Sequence, residues 1–338
     1  MLQLKNNTPF ESSLAIFPNQ HGIDTLYIIV KATFNIGQQW TLADEQKPPQ
    51  GEDEYWGDDP ATSSIKNASD IHIGKPATDI IMTGLACAHE KRKVSQMDVS
   101  LSVGHVNKAI RVFGDRQWIN GAISTAKPFS SMPLIYEKAF GGIHQNDGKI
   151  VAGEDRNPVG CGFSGKRKAK EMDGQPVPNL EDPRQLLQKA GDIVTPAGFG
   201  FISPNWQTRL SYAGTYDENW QKTQAPYLPK DFDLRFFNMA HPELIYPGFL
   251  AGGEPVHIKG VHPGGGLQFN VPVVALTADV AIKSRNEQPA FNLETLLIET
   301  DPLQLGMTFR AALPCDKETL KIREVVINLS RKQSNQAA

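Results

Sequence analysis

The segment with the most suggestive spacing is Gly160-Cys161-Gly162-Phe163-Ser164-Gly165-Lys166. It matches the GxGxxG pattern that brings backbone close to a dinucleotide pyrophosphate, and it nearly matches the phosphate-cradling GxxxxGK[ST] loop. Both chemistries require a buried strand leading in and a helix leading out, so that N–H groups at the helix start face the phosphate. Here a polar stretch, Gly153 to Pro158, leads in, and Arg167 stands where a magnesium-binding hydroxyl belongs. The expectation is a surface loop, with the basic run Lys166 to Lys170 as a solvated face.

Asp231 and Asp233 form the second arrangement with chemical potential. On a strand, a spacing of two points both carboxylates to one side, as a glycosidase acid pair or a calcium site would need. That pattern supports a carbohydrate-active enzyme or lectin-like module using these two acids and the nearby aromatic residues. The competing reading, that they cap turns and pair with Arg235, carries more weight because such local bonds are common for Asp. Elsewhere the chemistry runs out. No GxSxG elbow, HExxH or paired CxxC occurs, and Ser164 has no nominated base. The eight histidines are scattered, and His257 and His262, which flank a strand end, lack a third ligand. No catalytic residue, metal ligand or cofactor is therefore expected, and the chain reads as a non-enzyme.

The elements that must carry these residues are mostly strands. Short apolar segments rich in Val, Ile, Thr and Phe, bounded by Gly, Pro, Asn or Asp, occur at Thr25–Ile36, Asp79–Ala86, Val94–Val103 and Ala109–Phe113. Met97, Val99, Leu101 and Val103 alternate with Gln96, Asp98, Ser100 and Ser102, the mark of a sheet covered on one face. Gly114-Asp115-Arg116 reads as a hairpin turn into Gln117–Ile119. Strands return at Phe232–Phe237, Pro255–Val261, Leu267–Val271, Val274–Ile282, Thr295–Glu299, Gln304–Leu313 and Glu324–Leu329, with Pro263 to Gly266 as a turn. The clearest helix is Glu181–Lys189, with Pro183 and acids in its first turn and Gly191 beyond its end. The fold class is mainly β: a multi-sheet sandwich or open-barrel assembly with long ordered loops and few short helices. Its organisation is an N-terminal β-rich half over 8–128, a loop-rich middle and C-terminal β-rich half over 129–330, and a disordered tail over 331–338.

Composition narrows the classes of partner. Lys plus Arg number 34 against 37 Asp plus Glu in 338 residues, a formal charge of -3, which favours neither nucleic acid nor an anionic membrane. The opening MLQLKNNTPF lacks a basic segment followed by an apolar one, and no apolar run reaches membrane-spanning length. A cytoplasmic location without membrane insertion is the expectation. Cys87, Cys161 and Cys315, odd in number and far apart, suit free buried thiols in a reducing compartment.

Several short motifs then occur in order: Trp56-Gly57-Asp58, Gly74-Lys75-Pro76-Ala77-Thr78-Asp79, Phe113 to Trp118 and Glu137 to Gly142, followed by Asn157 to Gly162, Pro178 to Pro183, Ala213 to Asp217 and Leu228 to Asp233. The series resembles a bacterial domain-of-unknown-function family, DUF2169, from about Thr8 to about Asn328. Its genes lie beside those for the type VI secretion spike and its PAAR-like tip proteins. The resemblance implies an adaptor-chaperone that binds an effector carrying a PAAR-like domain and helps load it onto the valine-glycine repeat spike protein, a second implied partner. It carries over no catalytic residues. For the protein-binding surface, Trp206, Arg209, Tyr216, Asp217, Asp231 and Asp233 are the nominated residues, because aromatic and Arg side chains dominate interface centres. Tyr216 and Asp217 have a competing structural role in ordering the turn after Gly214.

Overall fold

The computed structural model describes residues 2–37, 39–283 and 285–330; the tail 331–338, expected to be disordered, lies outside the described residues. Strands account for 41% and helices for 10%, far from the roughly 30–35% helix of an average domain. The protein is a mainly β, multi-sheet assembly in which no sheet closes into a barrel.

The central sheet has six strands. Its order is Glu11–Pro18, Asp24–Asn35, Leu303–Pro314, Asn292–Thr300 and Asp79–Thr83, with Thr41–Leu42 pairing beside Phe34 and Asn35. All neighbours are antiparallel except Asp79–Thr83, which runs parallel to Asn292–Thr300 with Asp79 opposite Thr295. Leu26, Tyr27, Ile28, Ile29 and Val30 are all fully buried. A strand covered on both faces reads as a continuous apolar run, which is why this segment does not alternate.

The second sheet orders Leu180–Glu181, Val106–Phe113, Gln96–Val103, Pro255–Lys259 and Leu267–Asn270, all antiparallel. Here alternation holds. Val99, Leu101 and Val103 are buried while Gln96 and Asp98 face solvent. Residues 263–266 turn the chain between Pro255–Lys259 and Leu267–Asn270, as expected. The third sheet orders Gln3–Asn6, Ile322–Leu329, Leu276–Ile282 and Arg285–Glu287. Buried side chains of all three sheets merge in one apolar core, and a smaller cluster gathers around Trp118, Phe140 and Leu187. No helix among the described residues is long and apolar enough to cross a membrane.

Three expectations fail, each for a local reason. Glu181–Lys189 is not a helix: Leu180–Glu181 is an edge strand, with Glu181 opposite Arg111. The buried Glu181 carboxylate pairs with Arg116 and accepts from the Leu187 N–H at 2.6 Å, while Asp182 accepts from the Arg184 N–H at 2.8 Å. The acids that looked like first-turn residues are thus spent on tertiary and turn contacts. Gly114 does not open a hairpin either, since Arg116–Ile119 pairs with Ala122–Ile123 and Pro176–Val177. A Cβ at Gly114 would lie 1.7 Å from the Lys127 carbonyl oxygen, so this glycine serves a close backbone crossing. Phe232–Phe237 is not a strand; Leu234–Phe237 forms a 3-10 turn capped by Asp233.

Candidate functional site

The site is built where a strand-free stretch, residues 206–246, folds over one end of the central sheet. Most of its main-chain N–H groups are satisfied within its own turns, and side chains take others. The fully buried Asp79 takes two of them. Its carboxylate accepts from Asn238 Nδ2 at 2.9 Å, from the Met239 N–H at 2.8 Å and from the Ala240 N–H at 3.3 Å. Lys75 Nζ completes its shell at 2.6 Å and also donates to Thr295 Oγ1 at 2.8 Å. Asn238 Nδ2 donates in addition to the Ala77 carbonyl at 3.0 Å.

From Lys75 the polar network continues under the sheet. Glu294 accepts from the Lys75 N–H at 3.0 Å and from Arg310 Nε at 2.6 Å. Arg310 Nη2 donates to the Asp70 carbonyl, and the Asp70 carboxylate takes Lys31 Nζ at 3.0 Å and Thr308 Oγ1 at 3.2 Å. Three cations meet three carboxylates, a balance that low-dielectric burial demands. The enclosed His72 ring stacks on Phe237 at 5.3 Å, and burial, aided by Arg310, holds its pKa well below the ordinary histidine value. Phe237 in turn packs with Phe232 and Phe236 at centroid distances of 5.6 and 5.4 Å.

Between the 74–79 motif and three 3-10 turns, Arg209–Tyr212, Leu234–Phe237 and Pro242–Leu244, lies a cavity of about 270 Å³. Pro76, Ala77, Tyr212, Pro242 and Ile245 supply its apolar wall, and Arg209 and Arg235 reach it as well. Arg235 stacks on Tyr212 at 4.4 Å and makes a two-nitrogen pair with Asp233.

The six nominated residues fall into two groups. Trp206 and Arg209 are buried, only 2% and 6% exposed. Trp206 packs edge-on against Tyr136, and Arg209 donates to the Phe236 and Ile202 carbonyls at 2.9 and 2.6 Å. Tyr216 is 53% exposed and sits edge-on to Trp220, while Asp217 caps the Glu218–Thr223 helix by accepting from the Trp220 N–H at 2.8 Å. The aromatic residues of this stretch are mostly half-buried.

Asp231 and Asp233 do not share a strand face. Asp231 accepts from the Thr215 N–H and hydroxyl at 3.0 and 2.7 Å; Asp233 accepts from the Arg235 N–H at 2.9 Å as well as its guanidinium. These bonds hold both carboxyls below the usual carboxylate range, Asp231 through Thr215 and Asp233 through Arg235. A glycosidase pair needs one acid raised so that it stays protonated; this pair has both lowered, and each is turned to its own local partner.

The glycine loop is likewise structural in its contacts. Cys161–Gly162 forms a two-residue strand parallel to Phe140–Gly141, and the next element is a 3-10 turn at Ala169–Met172 rather than a phosphate-facing α-helix. A Cβ at Gly162 would lie 2.5 Å from Pro178 Cδ, and Arg167 donates to the Ser164 and Phe163 carbonyls. Burial pushes the Cys161 thiol up to about 12, which leaves it protonated and unreactive at neutral pH. Among the described residues no group of three or more His, Cys, Asp and Glu converges as a metal site.

The residues that organise the site, Lys75, Asp79, Asn238, Glu294 and Arg310, were not among those nominated. Only Lys75 and Asp79 left a signal, as members of the 74–79 motif.

Residues 21–310 match the family model described as "Uncharacterized protein conserved in bacteria (DUF2169)". No curated protein and no solved structure matches the chain.

Proposed function

We propose that this chain, which belongs to the uncharacterised bacterial family DUF2169, is a non-enzymatic adaptor-chaperone that holds a PAAR-like-domain effector and helps load it onto the type VI secretion spike. The family resemblance supplies the class of partner. The observation that carries the reading is the surface of residues 206–246, where Leu210, Tyr216 and Tyr227 stand exposed on a strand-free segment pinned from beneath by Asp79. Exposed apolar and aromatic side chains on a rigid support lose little entropy on binding, the property a protein-docking face needs. The carboxylates at 231 and 233 favour no competing hydrolytic reading, since both are lowered and engaged.

Coexpression with the PAAR-like product of a neighbouring gene, followed by pull-down, tests the proposal. A stable complex is expected, and Leu210→Asp with Tyr216→Ala should weaken it without lowering the melting temperature appreciably. Failure to form any complex, with effector solubility and secretion unchanged by this protein, overturns it.

A further inference from the structure

Arg209 is a buried cation with no direct counter-charge among the described residues. Among the described residues, no carboxylate comes within ion-pairing distance of its guanidinium, whereas Lys75, Arg235, Arg310 and Lys31 each have one. Two of its nitrogens are used, Nε on the Phe236 carbonyl and Nη1 on the Ile202 carbonyl, and the Phe236 ring lies 5.2 Å from the guanidinium carbon. Nη2 has no hydrogen-bond partner among the described residues. Burial lowers the Arg209 pKa to about 10, with Asp79 and Asp53 opposing the shift from longer range, so the group remains charged at neutral pH. Leaving a cation this enclosed without an anion is costly. The side chain lines the cavity of about 270 Å³ described above.

We propose that this cavity is a binding site for a carboxylate carried on a short apolar stem. Arg209 Nη2 donates to the carboxylate, and Tyr212, Pro242, Ile245 and Ala77 enclose the stem. Size and charge select this class. The volume falls below the roughly 300–1,000 Å³ of drug-sized pockets, which suits a group about as large as an amino-acid side chain. A phosphate dianion would bring two charges to one available cation, because Arg235 is already neutralised by Asp233; the second charge would be left in a mostly apolar enclosure. A single carboxylate leaves none. The carboxylate comes either from an acidic side chain of a bound polypeptide or from a free small acid, and the site chemistry is common to both.

The test titrates the full-length protein with benzoate and with benzamide, its neutral counterpart of nearly the same shape, by calorimetry. A charge-assisted hydrogen bond in a desolvated site should make benzoate roughly ten- to hundredfold tighter. Arg209→Met should abolish the preference for the acid. Ala77→Leu, which fills the cavity while leaving Arg209 in place, should abolish binding of both probes with the melting temperature retained, and it keeps the proposal testable should Arg209→Met fail to fold. A parallel titration with acetyl-Leu-Glu-amide separates the sources: binding of the blocked peptide assigns the site to polypeptide acids, and binding of benzoate alone assigns it to free acids. No saturable benzoate binding, equal affinity for benzamide, or benzoate binding unchanged in Ala77→Leu overturns the proposal.

Discussion

The role assigned to Asp79 is open to direct thermodynamic measurement. Asp79→Asn keeps the side-chain volume and one acceptor oxygen but turns the other oxygen into a donor, inside a shell that consists entirely of donors: Lys75 Nζ, Asn238 Nδ2 and the N–H groups of Met239 and Ala240. At least one of these donors is then unsatisfied, and the Lys75 ammonium, itself buried, loses its carboxylate partner while it keeps the Thr295 hydroxyl. Breaking a buried pair from one side costs about 3–5 kcal/mol. Lys75→Met is the milder lesion, because Asp79 retains three donors; the loss of one charged hydrogen bond predicts about 1.5–3 kcal/mol. In Lys75→Met/Asp79→Asn neither charge is left stranded, so the double variant should be more stable than the sum of the single losses predicts, by about 1–3 kcal/mol. Urea unfolding followed by the fluorescence of the buried Trp118 and Trp206 measures all three. Limited proteolysis reports separately whether residues 206–246 loosen first. A loss below about 1 kcal/mol for Asp79→Asn, or strict additivity in the cycle, would refute the argument that this pair anchors the segment.

Further consequences follow from other buried groups. His241 is pushed down to about 4 by burial, with Lys108 reinforcing the shift; its unfolded value is near 6.5, so the unfolded chain takes up a proton that the folded one refuses. Stability should fall as pH drops from about 6.5 to 4, by about 3 kcal/mol from this residue alone. His241→Asn, which retains an acceptor for the Glu243 N–H, should show a correspondingly smaller loss, and equal acid sensitivity would contradict this account. Gly114→Ala should cost more than about 2 kcal/mol because its Cβ meets the Lys127 carbonyl at 1.7 Å, whereas Gly51→Ala, with open space around it, should stay within about 1 kcal/mol; similar melting temperatures for the two would refute the crossing. Burial raises the pKa of all three thiols, most strongly at Cys161. Labelling by a disulfide reagent at pH 8 should therefore proceed far more slowly in the native protein than in urea, and three fast native thiols would exclude the burial described.

The strands were legible because their physics is local. Gln96–Val103 shows its covered face in alternation, and Leu26 to Val30 within Asp24–Asn35 show burial on both faces in an unbroken apolar run. The failures share a cause. Glu181, Asp182 and Pro183 satisfy every local rule for a helix start, but a buried Arg116 competes for Glu181 from 65 residues away, and nothing in the local spacing reveals it. Asp231 and Asp233 likewise obeyed a strand spacing that the chain does not adopt, because each carboxylate finds a better bargain in capping its own turn. Arg209 looked like an interface residue from its type alone; its burial is a property of the Phe236 and Ile202 carbonyls that close over it.

Lys75 and Asp79 show why the centre of the site was harder to see than its edges. Asp79 opens the expected strand Asp79–Ala86 and Lys75 stands four residues before it, a spacing that gives no sign of a buried ion pair. In the fold Asp79 begins a strand and Lys75 lies in the loop before it, so the spacing serves a turn of chain rather than a helix. The pair gains its importance from the strand-free segment above it, whose N–H groups at 239 and 240 would otherwise be buried without acceptors. This gives substitutions in residues 206–246 two separable effects. Loss of a side chain that satisfies main chain, such as Asn238 or Asp217, should lower stability first and binding only as a result. Loss of an outward apolar group, such as Leu210 or Tyr216, should lower binding at constant stability. A plot of effector retention against melting temperature over such a set should therefore resolve into two branches; a single line through all variants would mean that the outward groups act only through the fold, and the docking face would have to be sought elsewhere.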